Sequence, residues 1–118
     1  MGCGRVFEGT NKQMFNSLNK LKNLPNETKI YCGHEYTKTN SEFCIKFDTK
    51  NSLLKDKLKI IDEKIRKNLP TIPTTIANEK ETNIFLRCDD QELKKALNMA
   101  YFSDEDIFSK LRGLKDNF

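Results

Sequence analysis

At 118 residues, with 36% hydrophobic and 32% charged residues, the chain has room for one compact domain, or a small domain plus part of another. Its 21 Lys and Arg against 17 Asp and Glu give a net charge of +4, which favours anionic partners but is too small and too evenly spread for nucleic acid. No apolar run is long enough to cross a membrane, and none forms a signal-peptide core.

The start, Met1-Gly2-Cys3-Gly4-Arg5-Val6, puts Val where a myristoylation signal needs Ser or Thr, so a cytoplasmic chain is expected, organellar only through a segment outside this sequence. Cys3, Cys32, Cys44 and Cys88 form no C-x-x-C pair. They read as reduced, mostly buried thiols, neither a disulfide framework nor a structural zinc site.

Residues 1–9 read as a glycine-punctuated loop. Thr10 and Gln13 fit a capping box opening a helix whose apolar stripe is Met14, Phe15, Leu18 and Leu21, and Pro25 stops it. Thr28 to Cys32 reads as a strand ending at Gly33-His34, a common place for a functional cluster. A helix is predicted over Lys38–Phe47. A second runs from about Ser52 to Asn68, with Leu54, Leu58, Ile61 and Ile65 at helical spacing. Pro70 and Pro73 bracket a connector, and Thr74-Thr75 opens a short helix through about Lys80. Asp90 caps a helix carrying Leu93, Leu97 and Ala100. Ser103 and Asp106 form a last capping box before Ile107, Phe108, Leu111 and Leu114.

The character changes near residue 35. A helix and one strand are half of an α/β unit and cannot make a sheet alone, so residues 1–35 read as the end of a larger α/β domain and residues 36–118 as a helical domain. The fold class expected is α+β, mostly α.

Three places carry candidate chemistry. His34 is the single histidine, so it ligates a metal only if other ligands come from elsewhere; the residues alone leave structural and ligand roles open. Arg5, in an open loop between glycines, suits an anion, though a solvated arginine reads the same way. Arg112 and Lys115 stand three apart on the last helix and project from one side. They suit a carboxylate, or simply the helix's carboxyl end.

Two segments, Gly2-Cys3-Gly4-Arg5-Val6-Phe7-Glu8-Gly9-Thr10 and Tyr31-Cys32-Gly33-His34-Glu35-Tyr36-Thr37, resemble glyoxalase II, the hydroxyacylglutathione hydrolase family. Thr71-Ile72-Pro73-Thr74-Thr75, the stretch Glu79, Asn83, Phe85, Arg87, and the closing Leu111 to Phe118 are similar to further family segments in the same order. Phe7 stands where some members have tyrosine, and Ile84 where proline is usual.

The resemblance implies a metallo-β-lactamase-type αββα domain with a binuclear zinc, iron or manganese site, followed by a helical domain completing a glutathione pocket. The family hydrolyses S-D-lactoylglutathione to D-lactate and glutathione, the second step of methylglyoxal detoxification. By position, His34 would be a metal ligand, and Arg5, Tyr36, Arg112 and Lys115 would contact the glutathione thioester. The family's T-H-x-H-x-D-H motif is not within these residues, so this chain alone is expected to hold no metal stably and to hydrolyse no thioester. A short, non-catalytic binder of glutathione conjugates or of a partner is the alternative. In either case the strand stripped of its neighbours predicts self-association or strand exchange.

Overall fold

Thr10 opens the first helix as its spacing predicts. Its hydroxyl accepts from the Gln13 N–H at 3.2 Å, and the Gln13 side chain accepts from the Thr10 N–H at 2.8 Å. The structure, a computed structural model, describes all of residues 1–118. Helix α1 (Asn11–Lys22) leads to strand β1 (Lys29–Ile30), then α2 (Thr37–Phe47) and α3 (Ser52–Arg66). Strand β2 (Thr74–Thr75), α4 (Ile76–Thr82), a 3-10 turn (Ile84–Leu86), α5 (Gln91–Ala96) and α6 (Asp104–Asp116) complete the chain. The fold is mostly helical, with one two-stranded sheet.

Several boundaries differ from expectation for identifiable reasons. The strand predicted over 28–32 keeps only Lys29 and Ile30, because its partner β2 is two residues long: Lys29 pairs with Thr75 and Ile30 with Thr74, antiparallel. That partner lies beyond residue 35, so the strand is paired from within the helical part. Thr74-Thr75 therefore serve twice, as β2 and as the start of α4, where the Thr75 hydroxyl accepts from the Asn78 N–H. Helix α3 ends at Arg66, short of Asn68, and α5 ends at Ala96, leaving Ala100 outside. In both places an asparagine turns left-handed, Asn68 at φ 53° and Asn98 at φ 57°, and the next N–H reaches back to Lys64 or Lys94. Only half of the last capping box forms: Ser103 accepts from the Asp106 N–H, but the Asp106 carboxylate takes the Ser103 hydroxyl, not its backbone.

Packing gathers the aromatic residues of α2, the 3-10 turn and α6. Phe43, Phe85 and Phe108 are buried; Phe43 stacks on Phe85 and Phe85 meets Phe108 edge-on, each pair with centroids 5.9 Å apart. Met1, Leu54, Ile84, Leu93, Ile107, Leu111, Cys44 and Cys88 complete the core. Burial pushes both thiols up to about 12, so neither is a ready nucleophile. The buried Lys94 holds the loop before α6, donating to the Phe102 carbonyl at 3.0 Å and pairing with Asp104 at 2.7 Å.

Under the amino-terminal loop lies a buried carboxylate. Glu79, 2% exposed, pairs with the Met1 ammonium at 3.0 Å and Lys57 at 2.7 Å, and accepts from the Asn83 amide at 2.9 Å. Burial opposes its ionisation, but the two cations outweigh that and hold its pKa below the usual glutamate value. Helix α1 packs on α6 with its stripe only half-covered; it contains no fully buried residue.

Candidate functional site

Three side chains from three elements pin the loop at residues 1–4. Asn40 of α2 donates to the Met1 carbonyl at 2.9 Å, Asn83 to the Gly2 carbonyl at 2.8 Å, and Arg112 of α6 to the Gly4 carbonyl at 2.5 Å. Glycine is required where the loop is tightest. Gly2 sits at φ +90°, and a Cβ there would lie 2.5 Å from the Asn40 amide nitrogen.

Beside this loop runs a groove of 670 Å³ whose lining includes Arg5, His34, Tyr36, Arg112 and Lys115, together with Asn40 and Phe85. The structure thus brings all five sequence-predicted residues to one concavity. Arg5 and Phe7 come from the glycine loop, His34 and Tyr36 from the segment after β1, Arg112 and Lys115 from α6.

Their states differ. Arg112 is buried, 5% exposed, and committed within the chain: besides Gly4 it contacts Cys3 Sγ at 3.3 Å and Asp116 at 2.9 Å. Its Nε is buried and has no hydrogen-bond partner. Lys115 is half-buried over the Phe43 and Phe118 rings. Burial lowers its pKa, and the neighbouring Arg112 and Arg5 cations lower it further. Arg5 is exposed. Burial also raises the Cys3 thiol, outweighing the Arg112 contact that favours its thiolate.

His34 and Tyr36 are both exposed, their rings stacked 5.0 Å apart at 9°. Between them Glu35 does not line the groove. It turns to the connector before β2, where its carboxylate accepts from the Thr71 N–H at 3.1 Å and the Thr71 hydroxyl at 2.6 Å. The Thr71 hydroxyl and backbone hold its carboxyl below the usual glutamate value, against a smaller effect of desolvation.

No three His, Cys, Asp or Glu side chains converge anywhere on the chain to share an ion. A lone imidazole does not fit a binuclear metal centre; any such centre needs ligands from other residues. No helix is long and apolar enough to cross a membrane.

Sequence reasoning passed over Asn40, which nothing marks as special among many asparagines. Asn83 carried a signal, since it falls in one of the segments that resemble the family, but its role in gripping the Gly2 carbonyl is visible only in three dimensions.

Residues 35–118 match the family model described as hydroxyacylglutathione hydrolase C-terminus. The chain belongs to this family. Over all 118 residues it is 58% identical to a hydroxyacylglutathione hydrolase of Pelagibacter ubique (strain HTCC1062), 49% to one of Bartonella quintana (strain Toulouse) and 44% to one of Maricaulis maris (strain MCS10). It covers 44%, 47% and 46% of those proteins, so this member of the hydroxyacylglutathione hydrolase family spans less than half their length and corresponds to their carboxyl-terminal portion.

Proposed function

We propose that the groove grips the glutathione portion of a glutathione thioester, and that the chain is the substrate-holding part of a hydroxyacylglutathione hydrolase acting on S-D-lactoylglutathione. One observation carries this reading: three cations and a tyrosine from three separate segments share one groove. Its 670 Å³ lies within the range of about 300–1,000 Å³ usual for small-ligand sites. Glutathione carries two carboxylates and peptide groups. Arg5 and Lys115 meet a carboxylate, the Tyr36 hydroxyl meets the peptide backbone, and Arg112 adds its positive charge from the groove's edge. The depressed pKa of Lys115 supports the same view, because a bound anion relieves the crowding of like charges.

Beside that ligand, His34 offers one imidazole toward zinc, iron or manganese ions whose other ligands lie outside these residues. Residues 1–35 are then the end of a metallo-β-lactamase-type domain and 36–118 the substrate-binding domain. The four free cysteines favour the reducing cytoplasm. The half-covered α1 and the unpaired edge of β1 favour self-association.

Calorimetric titration with glutathione, beside a thioesterase assay with added zinc or iron, tests the reading. Binding without turnover is expected, weakened roughly tenfold by Lys115→Ala through loss of a charge-assisted contact. Affinity falls as pH rises through the lowered Lys115 pKa, since only the ammonium attracts the anion. No binding by the wild-type chain would overturn the glutathione reading, and turnover would overturn the claim that these residues lack a complete centre.

A further inference from the structure

The segment His34-Glu35-Tyr36 sends alternate side chains to opposite sides. His34 and Tyr36 line the groove with stacked rings, while Glu35 points away to Thr71. Of the three side chains only that of Glu35 is hydrogen-bonded to another part of the chain, while the Tyr36 carbonyl accepts from the Asn40 N–H at 3.0 Å as α2 begins. Tyr36, the residue before α2, offers no side-chain cap to that helix, and both aromatic rings are exposed. An exposed ring pair held only by its own stacking would sample many rotamers.

Glu35 supplies the missing constraint. Its two carboxylate oxygens accept from the Thr71 N–H at 3.1 and 3.3 Å, and one accepts from the Thr71 hydroxyl at 2.6 Å. The Thr71 and Thr37 hydroxyls lie 2.7 Å apart. Thr71 has one hydroxyl proton and gives it to the carboxylate, so the proton between the two threonines comes from Thr37. Both threonines are buried and Glu35 is exposed, so the Thr71–Thr37 end of this chain is the costlier to break. It ties the residues on either side of Tyr36, Glu35 and Thr37, to one point of the connector, which restrains the backbone from which the Tyr36 and His34 rings project.

We propose that Glu35 is a positioning residue: with Thr71 and Thr37 it bolts the His34–Tyr36 segment to the connector and so orients both rings on the groove wall. The bolt's effect on ring geometry stands by itself; its effect on ligand affinity rests on the glutathione reading above.

Four single variants and one double test it: Glu35→Ala, Glu35→Gln, Thr71→Val, Thr71→Ser, and Glu35→Ala with Thr71→Val. Three readouts are taken on each: ring-to-ring nuclear Overhauser contacts between His34 and Tyr36, affinity for S-methylglutathione, and thermal midpoint. Glu35→Ala and Thr71→Val are expected to lose the ring contacts and to bind roughly tenfold more weakly, about the effect of one charge-assisted hydrogen bond. Glu35→Gln and Thr71→Ser keep an acceptor and a hydroxyl, and retain the contacts. The double variant Glu35→Ala/Thr71→Val is no worse than either single, as for two ends of one link. Unchanged ring contacts in Glu35→Ala overturn the proposal, as does a lowered midpoint with the rings still stacked, which marks a merely structural role. Should Glu35→Ala fail to fold, the contrast between Thr71→Val and Thr71→Ser decides. If the wild-type chain binds no S-methylglutathione, the glutathione reading fails while the ring contacts still decide this one.

Discussion

Helices α1 and α6 are both amphipathic and pack against each other, yet they end in different circumstances. Helix α6 buries Ile107, Phe108, Leu111 and Arg112, whereas α1, with an apolar stripe of Met14, Phe15, Leu18 and Leu21, buries none of its residues fully and leaves Leu21 exposed. Amphipathic periodicity thus tells which face of a helix wants cover but not how much cover the chain supplies. One side of α6 meets a complete core; one side of α1 meets α6 and, more sparsely, α4 and the 3-10 turn.

Substitutions along the two regions sharpen that contrast. Phe108→Ala, which removes a buried ring between Phe15 and Phe85, is expected to cost about 3–5 kcal/mol in urea unfolding. Glu79→Gln leaves Lys57 short of its counter-charge inside the domain, a loss of about 3 kcal/mol. It should also flatten the acid limb of stability. The folded Glu79 carboxyl titrates below its unfolded value, so its contribution is complete above the unfolded glutamate pKa of about 4.3 and is lost as pH falls through the depressed folded value. Urea midpoints of wild type and variant measured from pH 7 downward check this. Thr10→Ala removes the cap of the half-covered helix and should cost about 1 kcal/mol, with the loss concentrated in faster amide exchange along α1. The smallest effect is expected of Leu21→Ser, within about 0.5 kcal/mol of wild type, but with less association by light scattering at high concentration. If Leu21→Ser instead destabilised the chain as much as a core substitution, the two regions would not differ as described.

Most helices were legible because caps and periodic stripes are local signals: Thr10 with Gln13, Thr75, Asp90 and Ser103 each cap the helix that follows, and α3 was read from its stripe, its Asn51 cap showing only in the structure. The left-handed Asn68 and Asn98 were harder, since asparagine is frequent in this chain and most copies do something else. Pairing of β1 with β2 was not legible at all, because a two-residue strand has no alternation to read. In the site, Arg5, His34, Arg112 and Lys115 were singled out by residue type and placement and given roles by the segments that resemble the family, and Tyr36 by those segments alone. Their convergence on one groove, and the extent to which Arg112 is engaged by the loop at Gly4, depend on contacts more than one hundred residues apart and needed coordinates.

The grip on residues 1–4 has a thermodynamic corollary. The peptide carbonyls of Met1, Gly2 and Gly4 are held by Asn40, Asn83 and Arg112, which arrive from α2, the segment after α4, and α6. The groove's floor therefore exists only when these remote pieces have assembled, so its shape is a property of the whole tertiary arrangement. Any molecule that occupies it draws population away from the unfolded ensemble, and its occupancy reads out the integrity of the entire domain.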